Sequence, residues 1–71
     1  MMPKVNEKVK IIRDKETVFG TIVAIYPPNI YHSGRFDVLI HEKNRTNTKE
    51  FWFSDYGKSV IAIERAKDDN K

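Results

Sequence analysis

With two histidines, one tryptophan and no cysteine, this 71-residue sequence is poorly equipped for covalent chemistry and better equipped for contact. The missing thiols remove disulfides, thiolate zinc sites and cysteine nucleophiles together. His32 and His41 are separated by a strand-like segment, and no carboxylate pair repeats at ligand spacing, so no metal site is expected. Ser33-Gly34 and Ser54-Asp55 lack a base placed to activate a hydroxyl. No phosphate-cradling glycine loop or dinucleotide fingerprint occurs. The chain therefore reads as non-enzymatic, without metal or cofactor.

Two groups of side chains could instead recognise a partner. The first is basic. The net charge is +3, and the excess sits in residues 1–15, where Lys4, Lys8, Lys10, Arg13 and Lys15 outweigh Glu7 and Asp14. Lys8, Lys10, Arg13, Lys43, Arg45 and Lys49 would form one phosphate-contacting surface if the first strand and the 42–48 hairpin lie together. The plainer reading is a solvated strand whose lysines guard a sheet edge. The second group is apolar: Trp52, Leu39 and His41, with Ile30 and Tyr31 in a loop, suit a protein partner, a stacked base or a second copy of the chain. The alternative for Trp52 is a cover over one end of the fold, packed under that loop.

Short strands must position these groups. Lys4 to Ile12 alternates, with Val5, Val9 and Ile11 on one face and Lys4, Asn6, Lys8 and Lys10 on the other. Thr17 to Tyr26 is rich in β-branched and aromatic residues and is broken only by Gly20, which predicts a bulge or bend. Pro27-Pro28-Asn29 ends that strand. Arg35 to His41 alternates again, placing Phe36, Val38 and Ile40 inward and Arg35, Asp37, Leu39 and His41 outward. Glu42 to Thr48 reads as a polar hairpin turn. In a fourth strand, Lys49 to Phe53, Phe51 and Phe53 share the inner face, sending Trp52 out with Glu50. Trp52 and Leu39 are thereby expected in one outer patch. Ser54 to Gly57 reads as one helical turn, and Ser59 to Ile63 as a fifth strand.

Five short strands with one helical turn before the last predict an all-β, five-stranded SH3-like barrel over residues 4–64, followed by a frayed polar tail at 65–71. An 8.3 kDa chain allows one domain with a small core, which favours self-association. No apolar stretch is long enough to span a bilayer and no signal peptide opens the chain, so a cytoplasmic location and no membrane partner are expected.

Asn6-Glu7-Lys8-Val9-Lys10, followed by Gly20-Thr21-Ile22-Val23-Ala24-Ile25, resembles the opening of Tudor and KOW-type domains. Phe53-Ser54-Asp55-Tyr56 resembles the Tudor turn whose first and last residues point into the core. That resemblance implies a binding module. It does not carry over the methyl-reading aromatic cage, because only Phe19 falls close to a cage position. Gly20 to Tyr26 and Ile61 to Arg65 also resemble the plasmid-borne type II dihydrofolate reductases, themselves small SH3-like barrels. Their folate- and nicotinamide-binding residues are missing near Ile11 and Glu50 to Phe53, so the reductase activity is not implied.

These residues lead to the expectation of an accessory protein that contacts nucleic acid or a nucleoprotein complex through the basic first strand and hairpin. The competing expectation is a protein-interaction module, or an inhibitor of a larger enzyme, acting through the Trp52 and Leu39 patch.

Overall fold

The computed structural model of the chain describes residues 2–63. Strands form where β-branched and aromatic residues concentrate and where polar and apolar residues alternate. They are β1 (Lys8–Ile12), β2 (Thr17–Tyr26), β3 (Arg35–Glu42), β4 (Arg45–Trp52) and β5 (Val60–Ala62), with a 3-10 turn at Phe53–Asp55 before β5. The molecule is all-β: the five strands form one antiparallel sheet in the order β4-β3-β2-β1-β5. The first four strands follow one another as neighbours, and β5 returns to pair with β1. The tail expected at 65–71 lies outside the described residues.

The inner face carries the core. Val9, Ile11, Ile22, Phe36, Val38, Ile40 and Val60 are buried, and Val18, Ile25, Phe51, Phe53 and Tyr56 pack against them. Phe36 is the hub. Its ring stacks on Phe51 at 5.9 Å, lies 6.3 Å from Phe53, and meets Tyr56 edge-on at 6.0 Å. Such pairs add to the benefit of burying the rings. The alternation read from Arg35 onward thus faces inward as expected at Phe36, Val38 and Ile40.

Four local expectations need correction. β1 begins at Lys8, not Lys4, because the backbone turns at Val5-Asn6: Asn6 has φ 74° and Glu7 N–H donates back to Lys4 O at 3.1 Å. Asparagine tolerates that left-handed geometry, and Val5 is left 51% exposed. The polar hairpin expected over Glu42 to Thr48 is a two-residue turn, Lys43-Asn44, closed by Glu42 opposite Arg45. Arg45 to Thr48 instead extend β4, since an edge strand needs backbone pairing but no apolar face. The bulge is at Val23, not Gly20: Ile22 pairs with Val38 and Ala24 with Asp37, leaving Val23 extra. Gly20 pairs normally with Val9 and Ile40, but a Cβ there would lie 2.6 Å from Val38 Cγ1 and 2.7 Å from Leu39 O. Glycine is what lets β2 and β3 approach. The helical turn starts one residue early, at Phe53, and Gly57 follows it at φ 89°.

Candidate functional site

The outer face is read most simply as rows of cross-strand neighbours. One row crosses all five strands: Ile61, Lys10, Phe19, His41 and Thr46. The next runs Lys8, Thr21, Leu39 and Thr48. Lys8 Nζ donates to Thr21 Oγ1 at 3.1 Å, and His41 Nε2 lies 3.2 Å from that same oxygen. Phe19 is 51% exposed between Lys10 and His41. Among the described residues neither row contains a carboxylate.

A third row, Ala24-Asp37-Glu50, bounds this patch with two acids. Beyond it lies Tyr26-Arg35-Trp52. The Arg35 guanidinium sits 4.6 Å over the Tyr26 ring and pairs with Glu50 at 2.9 Å, while Tyr26 donates to Asp37 Oδ2 at 3.4 Å. The acidic row is thus tied to the Tyr26-Arg35 end. Trp52, 51% exposed, belongs to that end.

The sequence-predicted basic residues therefore do not share one surface. Lys8 and Lys10 stand together on the outer face. Arg13 pairs with Glu16 at 3.2 Å and Glu42 at 3.7 Å, and Arg45 with Glu42 at 3.8 Å. Lys43 is at the hairpin turn. Lys49 is opposite Val38, on the inner-face side, with Nζ 5.8 Å over the Phe51 ring. The apolar group divides as well. Leu39 and His41 stand among Lys8, Lys10 and Phe19, whereas Trp52 is two rows away, about 13 Å along the strand. Ile30 and Tyr31 are 89% and 85% exposed in the loop before β3, whose backbone is held by Asn29 Oδ1 accepting from Tyr31 N–H at 2.7 Å and His32 N–H at 3.1 Å.

Sequence reasoning missed Phe19 as the centre of the patch. Its signal was the alternation Phe19-Gly20-Thr21-Ile22, which sends Phe19 outward once Ile22 is core. The strand register then sets it beside Lys10.

Among the described residues no cluster of histidine and carboxylate side chains could hold a metal ion, and no helix is long and apolar enough to cross a membrane. None of the protein-family models, curated proteins or solved structures compared with the chain matches it.

Proposed function

We propose that this chain is a small, non-enzymatic binding module of SH3-like, Tudor/KOW-type architecture that contacts single-stranded nucleic acid through the outer face of β1, β2 and β3. The strand order β4-β3-β2-β1-β5, with a 3-10 turn before β5, supports the architectural reading. One observation carries the functional reading: the exposed Phe19 ring lies between Lys10 and His41, next to Lys8, with no acid in its own row or the Lys8 row. A base stacks on an aromatic ring whatever its identity, at about 1–3 kcal/mol per base, while neighbouring ammonium groups hold the phosphates. Partners are then nucleic acid or a nucleoprotein complex, with little sequence preference.

Fluorescence anisotropy with labelled single-stranded oligonucleotides across a salt series tests this. Phe19→Ala should weaken binding on the order of tenfold without unfolding the chain. Two phosphate contacts should give a slope of log affinity against log salt near −1.4. Lys8→Glu with Lys10→Glu should abolish that slope. Absence of wild-type binding at low salt would overturn the reading.

A second reading, a protein-binding module, is favoured by Ile30, Tyr31 and Trp52, all strongly exposed. Trp52→Ser should separate the two, leaving oligonucleotide binding unchanged and weakening only a protein contact.

A further inference from the structure

The two edges of the sheet are unequal. β5 presents three residues, whereas β4 presents eight with neither proline nor glycine, all of them exposed except Phe51. A long open edge is a template for another strand. Among the described residues no segment pairs with the outer side of β4.

Main-chain groups on an antiparallel strand point alternately toward and away from the neighbour. The two-residue turn closes Glu42 on Arg45, and farther along Phe53 N–H donates to Gly34 O at 3.0 Å. Odd-numbered residues of β4 therefore bond to β3, and Thr46, Thr48 and Glu50 point their N–H and C=O groups outward. Trp52 N–H, next in that series, is taken by Asp55 Oδ2 at 3.1 Å. The usable edge runs from Thr46 to Glu50.

We infer that this edge pairs with itself: two copies join β4 to β4, antiparallel, about a two-fold axis at Thr48, making one continuous sheet. Side-chain charge selects both the occupant and the register. A two-fold axis perpendicular to the sheet keeps each face on its own side, so the axis must pass through a residue. An axis at Asn47 sets Arg45 opposite Lys49 of the second copy. One at Lys49 opposes two lysines, and one at Glu50 opposes two glutamates. One at Thr46 pairs only Arg45 to Asn47, because the second copy's chain turns back onto β3 at Lys43-Asn44. Like charges directly opposite are destabilising. Only the Thr48 axis both avoids them and pairs the edge from Arg45 to Phe51. It sets Thr46 beside Glu50, Asn47 beside Lys49, and Arg45 against the Phe51 ring, a cation–π arrangement.

The same register uses every open backbone group. Thr48 bonds to its counterpart and Thr46 to Glu50 in both directions, about six hydrogen bonds at two per narrow pair. Trp52 falls opposite Asn44 of the second copy, whose turn would shelter the indole. Because faces are preserved, both Phe19 rows end on the same side of the joined sheet. The pairing itself does not depend on what that side binds.

The test uses the full chain. Sedimentation equilibrium should show a dimer. Thr48→Pro removes an outward N–H that β3 does not use, so it should keep the native circular dichroism and weaken dimerisation on the order of a hundredfold. The chain has no cysteine, so single-cysteine variants report register directly. Under mild oxidation Thr48→Cys should cross-link at least about tenfold faster than Thr46→Cys, since paired Thr48 Cα atoms would lie about 5.5 Å apart and Thr46 Cα atoms about 14 Å. A monomeric wild type, a dimer that survives Thr48→Pro, or equal cross-linking of the two cysteine variants would overturn the proposal. Should Thr48→Pro fail to fold, the cysteine pair decides alone.

Discussion

β3 and β4 have eight residues each and pair along their whole length, yet their fates differ. β3 buries Phe36, Val38 and Ile40 completely, whereas β4 buries none of its residues. Both strands alternate. In β4 the inward-facing positions opposite Ile40 and Val38 are Asn47 and Lys49, and both remain exposed. Facing is decided within a strand, but burial requires something on the other side. β3 has a neighbour on each flank and aromatic rings above it; β4 is an edge.

The hardest test of that contrast is Phe36→Ala. Removing the ring that Phe51, Phe53 and Tyr56 surround should cost about 3–5 kcal/mol, most of what a domain this small can lose. Urea titration would show a lowered midpoint or no folded baseline; a nearly unchanged midpoint would break the asymmetry. Gly20→Ala comes next. The added methyl meets Val38 Cγ1 and the Leu39 carbonyl, and the latter belongs to a paired backbone. A loss of about 1–3 kcal/mol is expected, read by the same titration. Wild-type stability in that variant would mean that β2 and β3 can part without penalty.

Tyr56→Phe sharpens the contrast through pH. The Tyr56 hydroxyl donates to Glu7 Oε1 at 2.7 Å, tying the residue beside Phe36 to the turn before β1. Burial first, then the hydrogen bond and the charge of Glu7, push the phenol from 10.0 up to about 12. The folded state therefore keeps a proton that the unfolded chain gives up near pH 10. The contribution is complete below pH 10 and is lost as pH rises toward 12. At neutral pH the variant should lose about 1 kcal/mol. Thermal melts should show the gap between wild type and variant narrowing from pH 10 to 12; a constant gap would refute the coupling. Smallest of all, Lys49→Ala should change stability by no more than about 0.5 kcal/mol, although it faces inward. A larger loss would show that β4 is covered.

The same contrast explains what was legible in the amino acids. The bounds of β2 and the inner face of β3 followed from β-branched content and strict alternation, because those strands are selected for packing. The start of β4 did not. Arg45-Thr46-Asn47-Thr48 looks like a turn because an edge strand needs no apolar stripe, and the β-branched threonines were the only sign. Lys8 and Lys10 could be placed outward by alternation within β1. Their company could not, because Phe19 stands 9 residues from Lys10 in the chain and meets it only through register. The separation of Leu39 from Trp52 is likewise a matter of register between β3 and β4, invisible until Arg35 is seen opposite Trp52.

Val23 gives the molecule a parity rule. Before it, odd-numbered residues of β2 look outward; after it, even-numbered ones do, which is how Ile22 and Ile25 both reach the interior while Tyr26 meets Arg35 on the outside. Excising that single residue would set Ile22 beside Ala24 and keep Ala24, Ile25 and Tyr26 on their present faces and β3 partners, removing only the bulge. Excising one regularly paired residue of the strand instead would turn the side chains on one side of the cut to the opposite face. A single deletion in β2 should accordingly be tolerated at Val23 and rejected at its regularly paired positions, so the strand accepts edits by place as much as by chemistry.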